Sequence, residues 1–191
     1  MGLFSTIPVD EVTVLDIAKA TDLTPAAVYY HFPAREQILL YGMQRFRDAM
    51  TADLRQLKPP GQPSDGIRDL LVHEMAWIQK YRVFALVYFV NSLGLNLQVE
   101  ALRREARIEL IEILSPVVRR ARARLSRADT GMIALGLVSL IETSAASMLI
   151  QDVTYQSLGA RGFAQTVGAI GSRMAGVDAT DGPGRRTSRS R

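Results

Sequence analysis

The 191-residue sequence predicts an all-α protein. Three observations carry this. Apolar residues recur at helical spacing along most of the chain. Helix-start signals, a hydroxyl side chain followed by an acid three residues on or by a proline, stand at the head of the first such runs. No stretch keeps a period of two through its length; Val83 to Val90 reads as a buried strand in isolation, but it lacks a partner strand.

Taken in order, the first clear helix begins at Val14. The Thr13 hydroxyl can accept from backbone N–H groups one turn on, and Asp16 stands where the acid of a capping box belongs. Val14, Ile17 and Ala18 face inward at i, i+3, i+4 spacing, leaving Asp16 and Lys19 in water. Thr21-Asp22-Leu23 breaks the pattern. Thr24-Pro25 restarts it, a side-chain acceptor followed by proline at the first helical position, and the second helix runs through Phe32.

On that second helix Val28 and Phe32 share the buried stripe, and the opposite face carries Ala26, Ala27 and Tyr30, flanked by Tyr29 and His31. Small Ala26 and Ala27 let a helix backbone approach a groove closely, and exposed phenols are wasted unless something binds there. The alternative is that one tyrosine covers a hydrophobic seam and the other is incidental. A compact helix-turn-helix with this aromatic face points to DNA.

The run IAKATDLTPAAVYYHFPAREQIL resembles the DNA-binding signature of the TetR (tetracycline-repressor-like) family of bacterial transcription regulators. The matching elements are Ile17-Ala18, Leu23-Thr24, Val28-Tyr29-Tyr30-His31-Phe32 and Arg35-Glu36. The resemblance implies a homodimer with a small N-terminal DNA-binding domain and a larger C-terminal domain that binds an effector and dimerises. Position by position, it implies phosphate contacts from Thr13, Tyr29, His31 and Arg35, with Thr24, Pro25, Ala26, Ala27 and Tyr30 lying against base edges or sugars. No arginine, asparagine or glutamine on the recognition helix is placed to read guanine or adenine, so specificity leans on methyl contacts and DNA shape. Arg35 stands where the family usually has lysine, and Ala34 where it prefers a small polar N-cap.

Two features depart from the family pattern. Phe4 stands 13 residues before Ile17, the spacing at which the family ends its first helix, so that helix is expected to be mostly missing and Phe4, Ile17, Val28 and Phe32 to be poorly enclosed. Residues 1 to 57 hold five Lys and Arg against seven Asp and Glu, where a phosphate-binding domain is expected to be basic.

Downstream, Ile38, Leu39, Met43, Phe46, Met50, Leu54 and Leu57 share one face of a helix starting at Arg35, long enough to join two lobes. The stretch from Lys58, KPPGQPSD, ends it as a linker. Helices are expected at about 66 to 80, 82 to 93, 98 to 125, 129 to 152 and 160 to 175, the third of these kinked or split at Ser115-Pro116. This gives a DNA-binding domain over residues 1-45, an effector-binding and dimerisation domain over 46-176, and a disordered basic tail over 177-191 that ends RRTSRSR.

Gly131, Gly136, Ser139, Ser144, Ala145, Ala146 and Ser147, then Gly168, Gly171 and Ala175, make the last two helices rich in small residues. The family resemblance implies a four-helix dimer interface from this pair; ordinary intrachain packing is the alternative. An effector pocket is expected among the middle helices, where His73, Trp77, Tyr81, Phe84, Tyr88 and Asn91 crowd, although aromatic residues at helical spacing are more often plain core. Glu142 interrupts an apolar helix, where an unpaired carboxylate is costly. It is expected to pair with an arginine across the dimer, to face water, or to meet a cationic ligand.

Composition excludes other classes. The chain has no cysteine and two histidines, so thiolate metal sites and disulfides are out, no metal-ligand cluster is visible, and no Ser/His/Asp grouping or phosphate loop nominates catalysis. No cofactor is implied. The uncharged apolar stretches are too short to span a bilayer and no signal peptide is visible, which fits a cytoplasmic protein with no membrane role. The expected function is a transcription regulator, a ligand-responsive repressor whose partners are a double-stranded palindromic operator, a second copy of itself and a small effector, apolar or, through Glu142, cationic. The alternative is a helical ligand-binding or dimerisation protein that has lost specific DNA binding with its first helix.

Overall fold

A computed structural model describes residues 1–57 and 65–177. The linker expected from Lys58 lies, apart from Asp65, outside the described residues, as does all of the expected tail beyond Val177. Among the described residues every regular element is helical: α1 (Gly2–Thr6), α2 (Val14–Ala20), α3 (Pro25–His31), α4 (Arg35–Gln56), α5 (Gly66–Lys80), α6 (Arg82–Leu86), α7 (Leu97–Ala121), α8 (Arg127–Ile150) and α9 (Val153–Met174). A π-helical turn, Val87–Asn91, continues α6.

Local chemistry fixes the N-terminal helices. The Thr13 hydroxyl accepts from the Asp16 amide at 3.1 Å and the Asp16 carboxylate accepts from the Thr13 amide at 3.0 Å, the reciprocal cap that starts α2. The same Thr13 hydroxyl and amide hold the Asp16 carboxyl below the usual carboxylate range. Thr24 caps α3 by accepting from the Ala27 amide at 3.1 Å, with Pro25 in the first turn. Phe32 ends α3 with φ −136° and ψ 105°, the extended geometry required before Pro33. Ala34 then opens α4 without a side-chain cap.

The N-terminal core is closed more fully than the sequence suggests. Phe4, Ile17 and Val28 are buried, together with Val9 and Val12, and only Phe32 is half-exposed. The five residues of α1 pack on α2, α6 and the π-helical turn, and Asn91 Nδ2 donates to the Phe4 carbonyl at 3.0 Å. A short helix thus encloses the domain because the C-terminal lobe supplies the other wall.

At 22 residues, α4 spans about 33 Å at the standard rise, burying Leu39, Met43, Phe46, Met50 and Leu54 along one side. Against it lie α7 and α6, and behind them α8 packs on α5, α7 and α9. By length and composition α8 could cross a membrane. Here it is the central helix of the lobe, with Ala134, Leu137, Val138, Ile141, Ala145 and Leu149 buried.

Two helices differ from expectation for physical reasons. Rather than splitting at Pro116, α7 runs through it as one helix, where Ser115 Oγ donates to the Ile111 carbonyl at 2.7 Å. The span named α9 is two helices meeting at the non-helical Gly159 (φ 65°, ψ 168°): the second stands where a helix was expected at about 160 to 175, and the first, which was not expected, starts at Val153 because Asp152 caps it by accepting from the Tyr155 amide at 2.9 Å. The helix expected over 82 to 93 stands as α6 and its π continuation.

Some of the small residues serve contacts within the chain. A Cβ at Gly168 would stand 2.9 Å from the Arg68 carbonyl oxygen, and one at Gly171 would run into Leu71 and Leu137. These two glycines let α9 press onto α5 and α8. Gly136 is close to the Met174 side chain in the same way.

Candidate nucleic-acid interface and effector cavity

The face of α3 forecast to be exposed is exposed. Tyr30 is 85% exposed and Tyr29 53%, and Thr24, Pro25, Ala26 and His31 are open to solvent, with Ala27 half-buried. The reason is local: α3 is only seven residues long and spends its one buried position on Val28. The Tyr30 and His31 rings meet edge to face, centroids 5.1 Å apart, which steadies a protruding aromatic knob. Thr13, at the start of α2, is also exposed.

Arg35 differs from the others. Its Nη1 donates to the Val12 carbonyl at 2.8 Å and also to the Asp10 carbonyl, while Nε reaches the Glu36 carboxylate at 2.9 Å. The guanidinium braces the loop ahead of α2 against the start of α4, so a phosphate contact from it would compete with these bonds. Arg35 also holds the Glu36 carboxyl below its ordinary range.

Of the seven residues expected at an effector pocket, the structure brings three together. Trp77, Tyr81 and Phe84 line a cavity of about 500 Å³, within the range of small-molecule sites. Its other wall is made by Phe32, Ile38, Tyr41, Arg45, Phe46 and Ala49, with Met1 and Gly42 at one end. The remaining four are committed elsewhere. His73 Nε2 stands 2.6 Å from Asp53 Oδ2, joining α5 to α4. Tyr88 is core: it is 4% exposed, burial pushes its phenol up to about 12, and the Arg103 guanidinium lies 5.0 Å from the ring centre. Asn91 is spent on the Phe4 carbonyl.

Glu142 has its partner within the chain. Arg107 on α7 approaches it with Nη2 at 2.7 Å and Nε at 3.2 Å, an intrachain fork that compensates the carboxylate.

Sequence reasoning missed the α4 side of the cavity. Tyr41, Arg45 and Ala49 recur at i, i+4, i+8, a second face of α4 that its stronger apolar face concealed. Among the described residues no group of three His, Cys, Asp or Glu is placed to hold a metal ion.

A capped helix pair presenting an unburied aromatic face from its second member defines a helix-turn-helix, DNA-binding transcriptional regulator. Residues 1–41 match the family model described as bacterial regulatory proteins, tetR family, so the N-terminal helix-turn-helix is of the TetR type. Among solved structures it is similar to the crystal structure of Mycobacterium smegmatis AmtR, with a TM-score of 0.58 and 18% identity over 92% of this chain and 82% of that one. At this identity the likeness is one of fold. No curated protein matches the sequence.

Proposed function

We propose that the protein is a ligand-responsive repressor that binds a palindromic operator as a homodimer. The observation that carries the reading is Tyr30, 85% exposed on a seven-residue helix inside the family-matched domain. Residues 1-45 act as the DNA-binding unit and 46-176 as the effector-binding and dimerisation unit, joined by α4. Thr13, Tyr29 and His31 meet phosphates and fix register; Thr24, Ala26, Ala27 and Tyr30 face base edges and sugars.

The exposed side of α8 supports the dimer. Met132, Ser139, Thr143, Ala146 and Ile150 follow one another at spacings of seven, four, three and four, which fits a helix–helix seam, with Gly136, which seats Met174 of the same chain, in the remaining place of the row. None is charged; Met132 and Ile150 are 67% and 58% exposed, and the residues between them are small. Apolar ends with a small middle favour close helix pairing about a two-fold axis. Two copies so joined place two α3 helices on half-sites one DNA turn, roughly 34 to 36 Å, apart.

Ligand releases DNA only by binding the released arrangement better than the DNA-competent one. The regulatory test is a gel shift with the DNA flanking the protein's own gene. Tyr30→Ala is expected to weaken specific binding at least about tenfold, the scale of a lost base or sugar contact, with thermal stability unchanged because the side chain packs on so little. Specific binding that ignores the substitution removes Tyr30 from the interface. Absence of specific binding by the unsubstituted protein favours a ligand-binding protein without an operator, which the acidic balance of residues 1 to 57 would suit.

A further inference from the structure

The cavity beside α4 carries its own chemical signature. Its floor is Phe46 and Trp77, 4% and 8% exposed, with ring centroids 5.3 Å apart. The Tyr81 ring leans on Trp77, tilted by 46° with centroids 4.5 Å apart, and Phe84 continues that wall. A body that fills such a space is apolar and best flat, since aromatic rings favour offset or edge contacts with other rings.

Only one lining side chain is charged at neutral pH. Arg45 stands on the rim and makes no ion pair among the described residues. Lys80 lies 5.2 Å from the centre of the Tyr81 ring and adds to the positive potential on that side. No carboxylate lines the cavity, and the one acid that the sequence offered to a cationic ligand, Glu142, is taken by Arg107.

The position of the cavity matters as much as its lining. Phe32, the residue that ends α3, forms part of the wall, and its ring lies 5.7 Å from that of Tyr41 on α4. An occupant therefore touches the end of the recognition helix and the connecting helix at once.

Resting on the reading of this protein as ligand-responsive, we propose that the cavity between α4, Trp77 and Phe84 is the effector site, that it takes a flat aromatic anion with its charge on Arg45, and that the occupant acts on α3 directly through Phe32. The anion's acidic group meets a guanidinium suited to two parallel hydrogen bonds, and its rings displace water from the Phe46-Trp77 floor.

Trp77 is the single tryptophan of the chain, so the site reports on itself. The full chain is titrated with 1-anilinonaphthalene-8-sulfonate and, in parallel, with N-phenyl-1-naphthylamine, the same ring system without the sulfonate. The sulfonate is expected to saturate one site per chain, to quench Trp77, and to bind about tenfold more tightly than the neutral probe, the scale of a charge-assisted hydrogen-bonded pair. Arg45→Gln, a change at an exposed side chain, is expected to abolish that preference and leave the neutral probe unaffected. Ala49→Phe, which fills the cavity, is expected to weaken both.

Equal affinities for the two probes, or an unchanged preference in Arg45→Gln, overturn the anion assignment. Sulfonate binding that leaves Trp77 emission unaltered, or that survives Ala49→Phe, overturns the location. Operator affinity measured with and without saturating sulfonate separates the two readings: an intact Arg45-dependent preference without any DNA binding refutes the regulator and leaves the anion site standing. DNA binding that is indifferent to a Trp77-quenching, Arg45-dependent probe refutes the action through Phe32.

Discussion

Arginine substituted at Thr143 is expected to leave a folded monomer and to lower operator affinity by about two orders of magnitude or more. Thr143 sits mid-seam on the open side of α8, between Ser139 and Ala146, and is exposed in the single chain. In a two-fold pair the substitution brings two guanidinium groups into one interface. Burying unpaired like charges costs several kcal/mol. A monomer then meets one half-site alone and loses the gain in effective concentration that the second provides. Light scattering after size-exclusion chromatography reads the mass and a gel shift reads the affinity. A variant that remains dimeric places the subunit contact elsewhere; a monomer that binds as well as the parent shows that half-sites are not read in pairs.

The second large effect concerns Glu74. It is fully buried on α5 and neither carboxyl oxygen has a hydrogen-bond partner among the described residues. Burial, assisted by the charge of Asp53, pushes its carboxyl from the ordinary 4.5 up to about 8. The folded chain therefore holds this proton where the unfolded chain has released it. The contribution to stability is fully present below pH 4.5 and is lost progressively as the pH rises to about 8. Glu74→Met, close in volume and without polar atoms, is expected to be more stable than the parent by roughly 2 to 4 kcal/mol at pH 8, and by less at pH 5. Urea unfolding of both proteins at the two pH values measures it. An equal gain at both pH values contradicts the buried-proton account.

Features governed by near neighbours in sequence were legible before the fold was known. The Thr13–Asp16 cap, the Thr24-Pro25 start of α3 and the uncapped Ala34 each depend on residues within one turn, and each stands in the structure as read. The exposed side of α3 followed from placing seven residues around a helix. Less legible was anything that needed a partner far along the chain. Arg107 lies 35 residues from Glu142, and nothing in the apolar run around Glu142 names it. Gly168 and Gly171 look the same in sequence whether they meet α5 or a second subunit, and the answer required the Arg68 carbonyl and the Leu71 side chain to be in place. The cavity joins Phe32, Arg45 and Phe84, each on a different helix or at its end, so its aromatic half was visible as a crowded stretch while its cationic rim was not. Arg35 shows the converse: its motif position is clear, but the carbonyls of Asp10 and Val12 that engage it come from a loop of irregular backbone.

The most direct test of the central claim, that α3 enters the duplex, is backbone amide hydrogen exchange of the full protein with and without a DNA fragment that it retards on a gel. The account predicts slowed exchange confined to the start of α2 and to residues 24 to 35, with Tyr30→Ala abolishing it at the same DNA concentration. Slowing that falls instead on α7, which carries Arg103, Arg104, Arg107, Arg119 and Arg120, with the amides of α3 unchanged, would contradict it.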